Sequence, residues 1–257
     1  MEMRKNTSLL WNENVWKGFS EEEDRYHLEK ERKSIQWRRI KKRVLENFGT
    51  FKGLKTIEIG AGRGTISLLF ALEGADVSVL DYSEKAIESS RVFFRRHNIN
   101  ANFITMDALN IDKGFEGKFD VSMSFGTAEH FLGEKRLRFI KSHIDVLREG
   151  GITFIAVPNK WNLFYDLWKF LSESFGRWRF GEEYPFSVFE FRKIGRFFGR
   201  KFSYEGVYLF ESSFNLPGRI RKILGVKRNY STSGLRNQLG TPFDKYFSRT
   251  IIAIAKK

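Results

Sequence analysis

Cysteine is absent from the 257 residues. That absence removes disulfides, thiolate zinc sites, iron–sulfur clusters and cysteine nucleophiles together. A radical mechanism built on a Cys-bound cluster is excluded, as is any route through a covalent cysteine adduct. Long apolar runs are also lacking. None approaches the roughly 18 to 20 residues that a bilayer-spanning helix needs, so no transmembrane segment is expected. Residues 1–10 are polar and have neither the apolar centre nor the small-residue cleavage site of a secretory signal, which points to a cytoplasmic location.

What is present suits a globular α/β protein. The chain is 41% hydrophobic, and its length allows one α/β domain with an appended cap but would cramp a second full domain. The net charge of +14 is unevenly placed, with +3 in residues 1–50, zero in 51–158 and +11 in 159–257. A neutral middle followed by a basic third suggests an anionic partner such as nucleic acid, a lipid headgroup or a phosphorylated small molecule. The alternative is a basic surface that only solubilises.

The pattern predicts an N-terminal helix or helical pair over 20–47, rich in Glu and Lys/Arg, with Ile35, Ile40, Val44 and Leu45 set against a core. Strands and helices then alternate. Strands are expected at 56–59, 76–80, 102–106, 119–125 and 152–157. Helices are expected at 65–72, from the N-cap Ser83 to about 97, and at 134–148, where Gly150 and Gly151 would end the last one. Strands spaced by helices imply right-handed crossovers and a doubly wound, mainly parallel sheet, with ligands at the carboxyl ends of its strands. Beyond Pro158 the regularity is lost. Residues 159–184 are crowded with Trp161, Phe164, Tyr165, Trp168, Phe170, Leu171, Phe175, Trp178 and Phe180. A helix at 187–198, a strand at 204–210, a basic insertion at 213–247 and a last strand at 249–255 follow. The organisation expected is a helical flap (1–50), a binding core (51–158) and cap insertions with the last strands of the same sheet (159–257).

Glu58, Gly60, Gly62 and Gly64 form E-x-G-x-G-x-G where the first strand meets its helix. Glycines there permit a tight turn and close approach of a ligand to backbone N–H groups at a helix N-terminus. A G-x-G-x-x-G dinucleotide fingerprint would need glycine at Thr65 and is not present. Asp81 closes the second strand, where a carboxylate can accept from both ribose hydroxyls. Asp107 closes the third, and could accept from an adenine amino group. Either could instead be a turn or cap residue.

With these motifs and Leu147-Arg148-Glu149-Gly150-Gly151 before the fifth strand, residues 50–158 resemble the class I S-adenosylmethionine-dependent methyltransferase family. The resemblance implies a seven-stranded sheet whose last strand is antiparallel. It implies S-adenosyl-L-methionine as cofactor, held by Glu58, Gly60, Ala61, Gly62, Gly64, Asp81, Tyr82, Asp107, Ala108 and Phe125, with Gly60 and Gly62 near the methionyl part and Tyr82 near the adenine. Phe125-Gly126-Thr127-Ala128-Glu129-His130 is similar to a subgroup that includes ubiquinone-pathway O-methyltransferases, which often carry E-x-x-E-H there and can hold a divalent metal. Gly126 replaces the first Glu, so no metal is expected. Glu129 and His130 become the catalytic candidates. His130 could act as general base or only orient its loop by hydrogen bonding. His27, His97 and His143 sit among charged helical residues and are expected at the surface.

Methyl transfer from an activated sulfonium depends mainly on alignment and exclusion of water, so the cofactor motifs do not identify the acceptor. The expected acceptor is a small or lipid-like molecule, with the aromatic insertion as lid or channel. The alternatives are an RNA methyltransferase whose basic C-terminal part tracks phosphates and a non-catalytic cofactor-binding module. The stretch 219–228 alternates cations with Ile220, Ile223 and Leu224, as in helices that rest on anionic membranes or in a partner's groove.

Overall fold

A computed structural model describes residues 19–176, 181–207 and 244–257. Two helices precede the sheet, α1 (Glu21–Arg32) and α2 (Ile35–Phe48). Ser20 opens α1 with a capping box, its Oγ accepting from the Glu23 N–H at 3.2 Å while the Glu23 carboxylate accepts from the Ser20 N–H at 2.8 Å. Ser34 caps α2 by accepting from the Trp37 N–H at 2.9 Å, so the stretch is a pair of helices rather than one. Ile40 and Val44 are buried as expected, Trp37 joins them, Ile35 is partly buried, and Leu45 faces solvent.

The sheet has seven strands: β1 (Lys55–Ile59), β2 (Asp76–Asp81), β3 (Asn102–Thr105), β4 (Phe119–Phe125), β5 (Leu147–Pro158), β6 (Phe202–Val207) and β7 (Thr250–Lys256). Their order is β3-β2-β1-β4-β5-β7-β6. β7 runs antiparallel to both neighbours, and the other pairings are parallel. Between them lie α3 (Thr65–Leu72), α4 (Glu84–Arg96), α5 (Gly133–Asp145), α6 (Leu163–Ser174), α7 (Val188–Phe197) and α8 (Asp244–Phe247). This is the doubly wound, mainly parallel sheet that the β/α alternation implies. Alternate strand residues feed two cores, one on each face. Phe154 and Ala156 of β5 join Trp37, Phe70 and Phe94 on one side, and Ile155 and Val157 join Phe139 and Phe191 on the other.

Two expectations require correction. Gly150 and Gly151 do not end a helix. α5 stops at Asp145, and both glycines lie inside β5, where the pairing jumps from Phe119↔Leu147 to Val121↔Ile152. Gly150 has φ +79°, and a Cβ on Gly151 would sit 2.9 Å from the Arg148 carbonyl oxygen, so the pair forms a β-bulge that only glycine fits. His143 is not at the surface. It is fully buried on the sheet-facing side of α5, edge-on to Phe139 at 5.0 Å. Neither ring nitrogen finds a hydrogen-bond partner among the described residues, and burial pushes its pKa down to about 3. His97 is half-buried, with burial lowering its pKa, and His27 is exposed.

The helix expected at 187–198 is α7, with Ser187 as its cap. The late strand begins at Phe202 rather than Tyr204. Its expected end at 208–210, most of the basic insertion, the whole of 219–228, and Trp178 and Phe180 lie outside the described residues. No described helix is long and apolar enough to cross a membrane.

Candidate functional site

The loop after β1 is hung on β2. The Gly60 and Ala61 N–H groups both donate to the Leu80 carbonyl, at 2.8 and 3.0 Å. The Gly62 N–H donates to Asp81 Oδ2 at 2.9 Å, and Ser90 Oγ donates to the Gly62 carbonyl at 2.6 Å. Gly60 has φ +69°, and a Cβ there would collide with Thr127, whose Oγ1 donates to the Gly60 carbonyl at 2.9 Å. Gly64 is the N-cap of α3 and offers no side chain to its free N–H groups. Glu58 supplies what Gly64 lacks, accepting from the Ser67 N–H at 3.1 Å and Ser67 Oγ at 2.5 Å. Burial nevertheless pushes the Glu58 carboxyl up to about 7 against those bonds. Glu58 therefore braces the loop from beneath by capping its helix.

Asp81 is buried at the end of β2 and takes N–H bonds from Gly62 on Oδ2 and Ser83 on Oδ1, each at 2.9 Å. Burial raises its pKa, and these N–H groups oppose the rise. The Tyr82 N–H also acts on this carboxylate. Tyr82 beside it is 55% exposed. Asp107 lies just past β3, exposed, and closes a turn by accepting from the Leu109 N–H at 2.9 Å and Asn110 Nδ2 at 2.7 Å. Ala108 is buried, its carbonyl accepting from Ser142 Oγ at 2.9 Å, and Phe125 is half-buried against the core. The residues named from the sequence thus share one edge, tied by the register Asp81↔Thr105 and by the Met106 N–H on the Asp81 carbonyl at 2.9 Å.

Arg63, inside the glycine loop, was not among the residues expected. Its guanidinium lies between the rings of Phe19 and Phe93, 3.8 and 4.5 Å from their centroids. It pairs with the buried Asp24 of α1, which also pairs with Arg96 of α4. The three charges border a cavity of about 280 Å³ shared by Phe19, Lys85 and Val92. An arginine among glycines reads as loop decoration, and its partner lies 39 residues away.

A second cluster follows β4. Glu129 and His130 sit in a single 3₁₀ turn, Ala128–His130. Residues 181–186 are laid against it by the Asn159↔Phe186 bridge, by the Tyr184 N–H on the Glu129 carbonyl at 2.8 Å, and by Arg136, whose guanidinium donates to the carbonyls of Phe131 and Tyr184 at 2.7 and 2.6 Å. This brings Glu183 beside the pair. One ligand atom from each of Glu129, His130 and Glu183 lies within 4.8 Å of the others. Glu129 is 2% exposed, its Oε2 has no hydrogen-bond partner among the described residues, and burial pushes its carboxyl up to about 8. Burial also raises the pKa of Glu183, whose carboxylate accepts from the Tyr165 hydroxyl. His130 Nδ1 lies 2.9 Å from the Glu182 carbonyl, which can only accept, so Nδ1 is the donor in this contact. No spacing rule links Glu183 to Glu129; only the cap's path across β5 does.

Comparison with known proteins accords with this arrangement. Residues 57–151 match a family model described as a methyltransferase domain. A ubiquinone biosynthesis O-methyltransferase of Sinorhizobium fredii is 30% identical over 146 residues, which cover 54% of this chain and 58% of that protein. One from Agrobacterium fabrum is 30% identical over the same length, with 54% and 57% covered. The chain spans about half the length of the curated relatives it matches. Among solved structures, magnesium protoporphyrin IX methyltransferase from Synechocystis PCC 6803 with bound SAH superposes with a TM-score of 0.57 at 17% identity, covering 87% of this chain and 84% of that one. A SAM dependent methyltransferase from Archaeoglobus fulgidus gives 0.55 at 16%, covering 86% and 94%.

Proposed function

We propose that this chain, whose residues 57–151 match a methyltransferase-domain family model, transfers a methyl group from S-adenosylmethionine to a small or lipid-like acceptor. The observation that carries the reading is that the two clusters share a wall. Thr127 packs on Gly60 of the cofactor loop and stands two residues before Glu129. In this reading Gly60, Ala61, Gly62 and Gly64 present backbone to the cofactor's methionyl part and Asp81 takes the ribose hydroxyls. Tyr82, Asp107, Ala108 and Phe125 border the adenine, and Glu58 keeps the loop in shape. Glu129 and His130 act on the acceptor's side. The protein's task is alignment and water exclusion, because the sulfonium already activates the methyl carbon.

An apolar acceptor is favoured by α6. Its inner side carries Tyr165, bonded to Glu183, and Lys169, whose Nζ donates to the Glu183 carbonyl at 2.7 Å. Its outer side leaves Leu163 and Phe170 78% and 63% exposed, with Leu167 and Phe175 beside them. A helix roofing the acceptor cluster with an apolar exterior suits a greasy substrate. RNA is the second reading, favoured by the +11 charge of residues 159–257 and the exposed Arg192, Lys193 and Arg196 of α7. The test is incubation with isotopically labelled S-adenosylmethionine and a cell extract, followed by mass spectrometry of metabolite, lipid and RNA fractions. Label in the metabolite or lipid fraction is expected; label confined to RNA refutes the acceptor class, and none anywhere refutes the activity.

A further inference from the structure

We propose that Arg136 is a positioning residue for methyl transfer, fixing the turn that carries Glu129 and His130 against residues 181–186. The inference rests on the methyl-transfer reading and adds to it the residue that shapes the acceptor's side of the site. α5 shows Glu134, Lys135, Arg138 and Lys141 to solvent. Arg136 instead joins the inward stripe of Phe139, Ile140 and His143, at the three- and four-residue spacing that puts side chains on one helix face. It is 5% exposed, and its guanidinium lies 3.8 Å from the centroid of the fully buried Phe186 ring.

Burying an arginine is costly, and an apolar side chain of similar volume would pack among those rings without that cost. What the guanidinium adds is direction. Its nitrogens donate to three separate segments: Nε to the Phe131 carbonyl at 2.7 Å, Nη2 to the Tyr184 carbonyl at 2.6 Å, and Nη1 to the Glu190 carboxylate of α7. A planar fork meets three such acceptors at once, which a single ammonium nitrogen on a flexible stem cannot do in the same geometry. Phe131 follows His130 directly, and the Tyr184 N–H donates to the Glu129 carbonyl at 2.8 Å. The bonds therefore close a ring that runs from Arg136 through Phe131 and Glu129 to Tyr184 and back. Within that ring the turn has one place relative to residues 181–186. Burial raises the pKa of the Glu129 carboxyl, and the Arg136 cation opposes the rise. Methyl transfer depends on alignment, and a misplacement of about 1 Å can cost about 100-fold in rate.

The test uses the full chain, labelled S-adenosylmethionine and the cell-extract fraction that the wild type labels. Arg136→Ala should lower transfer by about tenfold or more, while S-adenosylhomocysteine affinity, read by calorimetry, stays within about twofold. Amide exchange at Tyr184 should quicken, and exchange at Leu68 and Leu69 in α3 should not change. Guanidinium ion supplied in solution should restore transfer several-fold to Arg136→Ala, whereas urea at the same concentration, with a similar shape and no charge, should not. If circular dichroism shows that Arg136→Ala fails to fold, Arg136→Lys is measured in its place, with the same loss of transfer and of protection at Tyr184 expected. Transfer equal to that of the wild type, unchanged exchange at Tyr184, a matching loss of S-adenosylhomocysteine affinity, or equal effects of guanidinium and urea overturns the positioning role. No transfer by the wild type is a separate outcome, which refutes the methyl-transfer reading and the role that rests on it.

Discussion

At the scale of single residues, Asp81 joins the glycine loop to the end of β2. It accepts from the Gly62 and Ser83 N–H groups and, on the proposed function, from the ribose hydroxyls as well. Asp81→Ala should weaken S-adenosylhomocysteine binding by about 1.5 to 3 kcal/mol, the range for a hydrogen bond to a charged group. Calorimetry showing unchanged affinity would remove Asp81 from the site. His143 gives a prediction of a different kind. Its pKa is near 3 when folded and 6.5 in its ordinary state, so the native ring stays neutral while the unfolded chain takes up a proton. The stability it contributes is fully present above pH 6.5 and is lost as pH falls, by about 1.4 kcal/mol per pH unit. Between pH 7 and 5 the wild type should lose about 2 kcal/mol more than His143→Leu, read from urea midpoints. The place of Asp81 at the end of β2 was legible in the sequence, because the apolar strand pattern stops there. The burial of His143 was not, because charged neighbours on a helix do not reveal which face a residue takes, and Phe139 and Ile140 turn this one inward.

At the scale of elements, α1 is held to the glycine loop by one buried carboxylate. Asp24 pairs with Arg63 of the loop and Arg96 of α4, and the Arg96 guanidinium also donates to the Phe19 carbonyl at 2.8 Å. Removing one partner of a buried pair leaves an uncompensated charge and typically costs about 3 to 5 kcal/mol. Asp24→Ala should therefore speed amide exchange in α1 and the Gly60–Gly64 loop, while α5, on the other face, keeps its protection. Uniform loosening of α1 and α5 would show that the pair serves general stability and no local latch. Elements with one strong period, such as α3 and β4, were read from the sequence to the residue. β5 was not, since glycine ends helices and forms bulges with the same positive φ, and only the pairing with β4 separates the two.

For the molecule as a whole, the open question is what the basic, aromatic C-terminal third meets. Aromatics at helical spacing do not say which face is core. In α6 Tyr165 is buried against Glu183 while Phe170, five residues on, is exposed. Both Val207 and Asp244, the described ends on either side of residues 208–243, lie at the strand-end edge that carries the two clusters, since β6 leaves and β7 enters the sheet there. Residues 208–243 hold six Lys/Arg against one acidic residue, and the described residues that flank them share the sheet edge from which α6 leads off. A lipid surface would use both the apolar face of α6 and this charge, whereas a polyanion such as RNA would use only the charge. The full chain should therefore sediment with anionic phosphatidylglycerol vesicles at low salt, and Leu167→Glu with Phe170→Glu should reduce that binding several-fold while S-adenosylhomocysteine affinity and binding to a polyanion are unchanged. If the double variant sediments as well as the wild type and salt alone abolishes binding, the contact is electrostatic and the lipid reading of this edge fails.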